Sequence, residues 1–504
     1  MKKVLLSLLA FIAWHSQNFA QISGAVTPVR TEALSAVSIE VPTKYQAAFS
    51  TARNLQMPVG FKAKVFYAGN LLSKARFMAW SPDSILHIAN KTSGSIVAMP
   101  DRNRDGVADT AFVAANNLVG AHSLQFFRNA LYVALQRQVI KLTDTDGNGI
   151  YETRTVFIDN IAGGAQQPGG GHDTRTIVFD EINEKMYLAI GSLCNVCRET
   201  ERAIIEQYDL NGQNRRIYAT GIRNAVGMTL HPVTNRLWAN TNGSDNQGND
   251  VPPEWIDLVR DGGYYGYPFV HSYRQWFDFN QGTDYRALLP ITAVDSAQVR
   301  RQTAPAALVQ AHSAQMALQF SNVSFPPQYR NGLWTVYRGS WNRTPPTGYK
   351  LVYLDFDNAQ DTTANYVTDV VTGILGANNT AWARPVGLAL DKRGTLYLGS
   401  DDLTQCVLSI QTNATTATKE FSQSIDFQVS PNPTRGELTI EWAAFSDFST
   451  SQVEVFNALG KQVFSAKMTS TRQVFTLPNL PMGVYACRVS SGNRLGLKKM
   501  MVAQ

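Results

Sequence analysis

The feature that most constrains this chain is a β-rich segment that recurs along its middle. In each copy an apolar strand is followed by a turn of Pro, Asp, Asn or Gly, a second apolar strand and often a third. The six copies begin at Arg76, His122, Arg175, Asn224, Gln315 and Arg384. Strands bounded by turn residues and repeated in this way are typical of a β-propeller, with one copy in each blade. We therefore predict an all-β fold with a six-bladed propeller over residues 55–411.

The two ends of the chain differ from this middle region. Residues 1–20 open with two lysines, a short apolar run and small residues, which is the pattern of a secretory signal peptide. We expect residues 21–54 to form an N-terminal extension and residues 412–424, which are rich in Thr, Ser and Ala, to form a linker. Short alternating strands separated by turn signals predict a small Ig-like β-sandwich over residues 425–504.

The formal net charge of +6 does not indicate a nucleic-acid partner, because the two ends carry most of it. Residues 1–20 contain two lysines and no acidic residue, and residues 425–504 contain eight Lys or Arg against five Asp or Glu. After the signal peptide no run reaches the roughly eighteen apolar residues of a membrane span. We therefore expect neither a nucleic-acid partner nor a transmembrane segment in the mature protein.

In a propeller the first strand of each blade lines the central channel, so residues at the starts of these strands gather at one mouth. In this chain those positions are polar and basic: Arg76, His122, His172, Arg223 with Asn224, His312 and Arg384. We predict that they form one site that favours an anionic ligand. The alternative is that these side chains cap strands and bond to backbone carbonyls.

Two members of this group have side chains that suit catalysis. His172 follows three glycines, which allow close approach of backbone or ligand, and a histidine can act as a general base near neutral pH. Arg223 beside Asn224 offers a fork of donors next to an amide, which suits carboxylate or quinone oxygens. Taken alone, either group could also be a structural hydrogen-bonding group.

Three acidic segments are candidates for calcium binding. Within residues 241–259, glycines together with Asp245, Asp250 and Glu254 could present oxygen ligands or form an acidic surface loop. Residues 101–109 and 144–152 resemble calcium loops, with oxygen-bearing residues at alternate positions and a glycine, but neither has the full twelve-residue EF-hand spacing. For these two segments we expect turns between strands, with metal binding that is weak at most.

The pair Cys194 and Cys197 has three interpretations. It does not attach haem, because Arg198 stands where the required histidine would be. A short-loop disulfide is compatible with export, and half of a zinc site is the least favoured, since no second Cys or His pair follows at a suitable spacing. Cys406 and Cys487 lie in strand patterns and are expected to be buried, inert thiols.

Seven segments, in this order along the chain, resemble the glucose/sorbosone dehydrogenases: GGGHDTRTIVF, GSLCNVCRE, TGIRNAVG, TNGSDNQGNDVPPE, YYGYPF, RGSWNRTPPTGYK and ARPVGLAL. The resemblance extends from about Leu55 to Ile410. It implies a soluble, six-bladed sugar dehydrogenase that uses pyrroloquinoline quinone (PQQ) and calcium.

The same resemblance implies roles for individual residues. His172 would remove the proton of the sugar hydroxyl while hydride passes to the quinone, and Arg223 would stabilise charge on the reduced cofactor. The backbone carbonyls of Gly243 and Ser244 would bind calcium. The residues that would contact PQQ are Arg76, Asn224, Arg338, Arg343 and Arg384, with Arg384 and either Arg338 or Arg343 pairing with the PQQ carboxylates.

The sequence departs from the glucose enzymes at several positions. Gly171 stands where they have an acidic residue before the histidine, Trp382 replaces the first of two arginines, and Ser244 replaces a proline. These changes point to the broader sorbosone-like branch and to a sugar or sugar-like alcohol or aldehyde as substrate, with an unknown electron acceptor. Two alternatives are a calcium-dependent lactonase and a non-catalytic surface carbohydrate-binding propeller.

The C-terminal region also resembles a known module. The segments SPNPTRGELTIEW, VEVFNALGKQV, LPNLPMGVYACRV and KKMMV are similar to the C-terminal sorting domain of the type IX secretion system. This implies that the partner is the type IX secretion machinery and that the protein is secreted or displayed at the cell surface. The alternative is an ordinary Ig-like binding module.

Overall fold

The computed structural model describes residues 26–162, 171–412 and 423–503, apart from 443–450, 458–461 and 492–493. The chain divides into two compact units between residues 413 and 414. Strands dominate both units, which confirms the all-β prediction. The helices of the described residues are short: Thr283–Arg286, Ala293–Arg300 and the 3-10 turns Thr43–Tyr45 and Pro327–Tyr329. The predicted signal peptide and most of the predicted linker lie outside the described residues.

The described residues of the first unit form six sheets with an antiparallel core. For each sheet we name first the edge strand that contacts the neighbouring sheets, call it the first strand of that sheet, and number the sheets by the chain order of these strands. Sheets 1 to 3 consist of Ala75–Trp80, Leu86–Asn90, Ser95–Met99 and Phe112–Ala115; of Ser123–Phe127, Ala130–Ala134, Val139–Thr143 and Thr153–Ile158; and of Arg175–Asp180, Lys185–Ile190, Ile204–Asp209, Arg216–Thr220 and the parallel edge strand Gly263–Tyr264.

Sheets 4 to 6 follow the same plan. They consist of Met228–Leu230, Leu237–Thr241, Glu254–Leu258 and Ala307–Val309; of Gln315–Phe320, Leu333–Tyr337, Lys350–Asp355, Tyr366–Val371 and the parallel strand Val29–Arg30; and of Ala383–Leu390, Thr395–Leu403, Val407–Gln411, Lys62–Tyr67, Leu34–Glu40 and Asn54–Pro58. A separate two-stranded hairpin, Val270–His271 with Gln275–Trp276, lies between the third and fourth strands of sheet 4 in the chain.

The first strands of neighbouring sheets contact each other in a closed cycle, from sheet 1 through sheet 6 and back to sheet 1. Sheet 6 completes this cycle with a strand from the other end of the unit, because Lys62–Tyr67 pairs antiparallel with Val407–Gln411. The segment expected to be an N-terminal extension adds strands to the same ring, with Leu34–Glu40 on sheet 6 and Val29–Arg30 on sheet 5. The starts of the six first strands therefore face the same central space.

The inner strands are buried on both faces, since a sheet in this ring is covered by a sheet on either side. Every residue of Leu86–Asn90 and of Ser95–Met99 is buried. Between sheets 5 and 6 the fully buried Trp334 packs its ring against Tyr329 and Tyr353, with centroids 5.2 and 4.8 Å away. Such aromatic contacts contribute much of the apolar area that holds the ring together.

The second unit is a pair of sheets around one apolar core. Its described strands are Gln423–Ser424, Arg494–Val502, Gly483–Ser491, Gln452–Phe456 and Gln462–Lys467 in one sheet, and Gln428–Ser430, Glu437–Glu441 and Arg472–Thr476 in the other.

The prediction that Cys406 and Cys487 are buried thiols is confirmed. Both are buried and unbonded, and burial raises the pKa of each to about 12. No described helix has both the length and the apolar character needed to cross a membrane.

The burial of Trp334 leads to a stability prediction. We expect Trp334→Ala to lower the free energy of unfolding by about 3–5 kcal/mol, because a buried indole is replaced by a cavity. Trp341→Ala is the matched control, since this side chain is 76% exposed and its loss should change the free energy by less than about 0.5 kcal/mol. Urea unfolding followed by tryptophan fluorescence measures both; equal effects would contradict the assigned core.

Candidate functional site

The first half of the candidate site is a cluster of three arginines around one carboxylate. Arg76 donates from Nε to Nδ1 of His122 at 3.0 Å and from its guanidinium to Asp401 at 2.6 Å. Arg338 donates from Nε to both oxygens of Asp401, at 3.0 and 3.1 Å. Arg384 lies beside Arg338, and burial together with the charge of Arg338 lowers its pKa. The structure thus brings together Arg76, His122, Arg338 and Arg384, which the sequence predicted.

Positive charge exceeds negative charge in this cluster. The Asp401 side chain is only 3% exposed and serves two guanidinium groups, and Asp402 is shared by Arg338 and Lys74. Arg384 forms no ion pair with a carboxylate in the described part of the chain. A buried charge excess of this kind is stabilised by an anionic ligand.

The second half of the site is built around His172 and Arg223. The Nδ1 atom of His172 lies 2.9 Å from the hydroxyl and 3.1 Å from the carbonyl oxygen of Ser192. If Nδ1–H donates to that carbonyl, Nε2 carries the lone pair, and it has no protein partner among the described residues. Burial first, and then the charge of Arg223, lower the pKa of His172 to about 3, so the imidazole is neutral at neutral pH.

Two glycines let these groups approach one another. A Cβ on Gly191 would lie 2.5 Å from Oδ1 of Asn224 and 2.6 Å from Cβ of His172, so only glycine permits that pair to be neighbours. A Cβ on Gly171 would collide with the backbone of Leu193. This explains why position 171 cannot hold the acidic side chain of the glucose enzymes.

Arg223 is buried within a cradle of oxygen atoms, with its side chain 8% exposed. Its Nε donates to the carbonyl of Asn195 at 2.9 Å, and its terminal nitrogens donate to the carbonyl of Gly243 at 2.5 Å and to Oδ1 of Asn195 at 3.1 Å. The carboxylate of Asp245 lies 3.5 Å away. Beside it, Oδ1 of Asn224 is buried without a hydrogen-bond partner among the residues that the structure describes, which leaves the amide an acceptor atom for a ligand.

One of the two predicted calcium carbonyls, that of Gly243, is already engaged, because it accepts a hydrogen bond from the Arg223 guanidinium. At Ser244 the hydroxyl, which is not the predicted ligand atom, accepts a hydrogen bond from Tyr285 at 2.7 Å. Carbonyl and carboxylate oxygens suit calcium, but an ion on the Gly243 carbonyl would require Arg223 to release it. The arrangement of these residues therefore does not fit calcium as it stands.

The three candidate carboxylates Asp245, Asp250 and Glu254 do not converge on one point. Asp245 accepts from Asn342 at 2.5 Å and lies beside Arg223. Asp250 is exposed and pairs with Arg343, whereas Glu254 is buried and accepts from two backbone amides. Arg343 is thus directed to Asp250 rather than to the cluster around Asp401, so of the two alternatives it is Arg338 that lies beside Arg384.

The structure places the remaining predicted residues as follows. His312 contacts a backbone carbonyl through Nε2 at 2.9 Å and lies 3.9 Å from Asp245 through Nδ1. Cys194 and Cys197 form a disulfide, which decides among their three interpretations. In the turn 144–152 the ligand oxygens of Asp144, Asp146 and Glu152 lie within 4.8 Å of one another. Asp144 also accepts hydrogen bonds from amides of its own turn.

Sequence reasoning missed the acidic and amide partners of the arginines, chiefly Asp401, Asp245 and Asn195. A usable signal was present. In an antiparallel sheet the second strand ends where the first begins, so residues at the ends of second strands also reach the mouth. Asp401 lies near the end of Thr395–Leu403, and Asp245 follows the strand that ends at Thr241.

Comparison with known proteins adds the following. Residues 55–412 match the TrAA12-like family, and residues 428–503 match the secretion system C-terminal sorting domain. An uncharacterized protein of Borreliella burgdorferi is 28% identical over 366 residues, which cover 70% of this chain and 90% of that protein.

Two solved structures share the fold of this chain. The calcium structure of the Trichoderma reesei carbohydrate-active enzyme of family AA12 is 18% identical, has a TM-score of 0.59, and covers 71% of this chain and 96% of its own. The holo form of the pyranose dehydrogenase PQQ domain from Coprinopsis cinerea is also 18% identical, has a TM-score of 0.58, and covers 74% of this chain and 98% of its own. At this level of identity the likeness concerns the fold.

The low pKa of His172 predicts a pH-dependent stability. The folded pKa of about 3 lies below the usual value near 6.5, so the unfolded chain binds the proton more tightly. The contribution of His172 is therefore complete above about pH 6.5 and is lost as the pH falls toward 3, with a slope of up to about 1.4 kcal/mol per pH unit. Urea unfolding at several pH values should show that the stability difference between the wild type and His172→Gln shrinks with falling pH. A constant difference would contradict the assignment.

Proposed function

The chain belongs to the TrAA12-like family of PQQ-dependent sugar dehydrogenases, and from this premise we propose that it is a quinoprotein that oxidises a sugar or sugar-like alcohol or aldehyde. The family match covers residues 55–412, which make up most of the first unit. The sorting domain at residues 428–503 indicates export to the surface or medium through the type IX machinery. We interpret the six sheets as the blades of a six-bladed propeller and the second unit as an Ig-like sandwich.

The observation that carries the proposal is the excess of guanidinium groups at the mouth. PQQ is a tricarboxylate with an ortho-quinone, so it needs cations for its carboxylates and donors for its quinone oxygens. Arg76, Arg338 and Arg384 supply the cations, and only Arg384 lacks a carboxylate partner in the described chain. On the other side of the mouth, Arg223 supplies a positive charge whose N–H groups already donate to protein oxygens, and Asn224 offers Oδ1 as an acceptor. The three arginines around Asp401 are the part of the site that fits the carboxylates of the cofactor.

When bound, PQQ supplies a two-electron acceptor that takes hydride from the substrate carbon. His172 would accept the hydroxyl proton of the substrate at Nε2, because its Nδ1 is held by Ser192. Arg223 would stabilise negative charge that develops beside it. Burial is the main cause of the low pKa of His172 and the charge of Arg223 is the second. Binding of an anion near Arg223 would offset the second cause and make the imidazole a stronger base than it is in this structure.

We derive no step that depends on calcium. The Trichoderma reesei neighbour is a calcium structure, but in this chain the Gly243 carbonyl holds Arg223. A calcium-dependent lactonase is not supported either, because the carboxylates of residues 241–259 do not converge and the described metal-like cluster at Asp144, Asp146 and Glu152 lies in another turn.

Replacement of Arg384 tests the cofactor site. We expect Arg384→Ala to weaken PQQ binding about 10- to 100-fold, since a charge-assisted contact to a carboxylate is lost. Calorimetric titration of the mature protein with PQQ measures this, with and without added calcium. Arg393→Ala is the matched control: Arg393 lies in the turn after the first strand of sheet 6 and pairs with Asp391. Equal affinity of the two variants would contradict the site, and a wild-type protein that binds no PQQ would overturn the proposed function.

Replacement of His172 separates catalysis from binding. We expect His172→Ala to keep PQQ affinity within about threefold and to lose sugar-dependent dye reduction by about 10²- to 10⁴-fold, because the general base is removed. His231→Ala, in the turn after the first strand of sheet 4, should keep wild-type turnover. Unchanged turnover in His172→Ala would contradict the role of His172. PQQ binding without turnover of any aldose or pyranose by the wild type would favour a non-catalytic surface binding protein.

A further inference from the structure

The Cys194–Cys197 disulfide lies in a turn that is open to solvent on one side and packed against a buried carboxyl group on the other. Both cysteines are half-buried, and the neighbouring Leu193 and Arg198 are exposed. The buried carboxyl group belongs to Glu199, whose side chain is only 8% exposed. A disulfide that solvent can reach is more readily reduced than one inside a core.

The carboxyl group of Glu199 is poorly supplied with hydrogen-bond donors while the disulfide is closed. Its Oε1 accepts from the amide of Leu193 at 2.8 Å and lies 3.4 Å from the hydroxyl of Tyr267. Its Oε2 is buried without a hydrogen-bond partner among the described residues, and Nε of Arg202 lies 3.9 Å away. Burial raises the pKa of Glu199, so the group holds a proton more tightly than an exposed carboxyl group does.

The same carboxyl group faces both sulfur atoms. Oε1 of Glu199 lies 3.2 Å from Sγ of Cys197 and 4.0 Å from Sγ of Cys194. A disulfide sulfur carries no hydrogen, so neither contact is a hydrogen bond while the S–S bond is closed. In the dithiol, the Cys197 thiol has this oxygen as an acceptor, and the Cys194 thiol has the hydroxyl of Tyr267 at 3.5 Å. The surroundings thus provide partners for two thiols that the disulfide cannot use.

A cavity of about 360 Å³ beside the turn connects Glu199 with solvent protons. Glu199 lines this cavity together with Arg202, Tyr267 and Asp295. The space is large and polar enough to hold several water molecules. Water in the cavity can return a proton to the carboxyl group after that group has given one away.

We propose that Cys194 and Cys197 form a reversible dithiol–disulfide centre that exchanges with an external dithiol, with Glu199 as the proton donor and acceptor. A thiolate of the external dithiol attacks Sγ of Cys194, and the S–S bond breaks. Cys197, which lies nearer the carboxyl group, leaves as a thiolate and takes a proton from Glu199. The second thiol of the reagent then attacks the mixed disulfide, so that the reagent closes its own disulfide and Cys194 leaves.

The electrons and protons of this exchange balance. The external dithiol is oxidised by two electrons, and the cysteine pair is reduced by two. The two protons that the reagent loses enter the solvent; one replaces the proton given by Glu199, and the other ends on the Cys194 thiol. The activity goes beyond the proposed function and involves no PQQ, so its failure would leave the proposed function untouched.

Titration with dithiothreitol tests the proposal. The mature protein is equilibrated with mixtures of reduced and oxidised dithiothreitol, its thiols are trapped with a maleimide, and the trapped residues are identified by mass spectrometry. We expect Cys194 and Cys197 to be trapped together in the folded protein and to be protected again when oxidised dithiothreitol is in excess. Cys406 and Cys487 are internal controls, because they are buried and should stay unlabelled while the protein is folded.

Three results of this titration would overturn the proposal, because each would show a purely structural disulfide. The first is trapping of all four cysteines at once, which would mean that reduction requires unfolding. The second is the absence of any trapping without denaturant. The third is a reduced pair that oxidised dithiothreitol does not close again.

Replacement of Glu199 tests its role in proton transfer. We expect Glu199→Gln to slow reduction by dithiothreitol at neutral pH by about tenfold or more, because an amide of the same shape gives no proton to the leaving thiolate. Glu201→Gln is the matched control, since Glu201 is exposed two residues further along and its replacement should keep the wild-type rate. Equal rates in the two variants would overturn the role of Glu199. If Glu199→Gln does not fold, Glu199→Asp, which withdraws the carboxyl group from Cys197, should show the slower rate, and a wild-type rate would overturn the role.

Discussion

Pairing between Lys62–Tyr67 and Val407–Gln411 is the interaction on which the candidate site depends. It joins the two ends of the first unit in one sheet and so closes the ring of six sheets. Only in a closed ring does the first strand of sheet 1 lie beside that of sheet 6, which places Arg76 within 2.6 Å of Asp401 although 325 residues separate them. The backbone ladder within sheet 6 thus closes the ring, and the buried ion pair forms between sheet 1 and sheet 6.

The acidic residues of the mouth fix the orientations of the arginine side chains and neutralise only part of their positive charge. Asp401 fixes Arg76 and Arg338 in defined orientations, and Asp245 with Asn195 does the same for Arg223. Cationic side chains that are already immobilised lose little conformational entropy when an anion arrives. Each buried acid therefore lowers the net charge of the site while it prepares the remaining charge for binding.

The sequence predicted the strands and the candidate site residues better than it predicted which side chains contact each other. The strand pattern predicted five of the six first strands to within one residue of their starts, whereas the strand expected at Asn224 begins at Met228. Because local turn chemistry marks these starts, the pattern also singled out the site candidates beside them: Arg76, His122, His172, Arg223, Asn224, His312 and Arg384. The pattern could not show that Asp401 lies between Arg76 and Arg338, since that pair depends on closure of the ring. It also favoured no choice between Arg338 and Arg343, and the choice follows from Asp250 lying within reach of Arg343. Composition suggested that Asp245, Asp250 and Glu254 belong together, whereas Glu254 begins the fully buried strand Glu254–Leu258 and Asp250 lies exposed in the turn before it.

Closure by distant strands also has a consequence for the order of events during biosynthesis. Lys62–Tyr67 is made early, but its partner Val407–Gln411 is made only when nearly the whole unit has been synthesised. Until then the chain is an open arc with two unpaired sheet edges, which are ready templates for misassociation. The sorting domain, at residues 428–503, lies C-terminal to that last strand. The sorting domain is therefore synthesised only after every strand that the ring needs for closure. A chain that terminates before Val407–Gln411 lacks both the strand that closes the ring and the sorting domain that directs export.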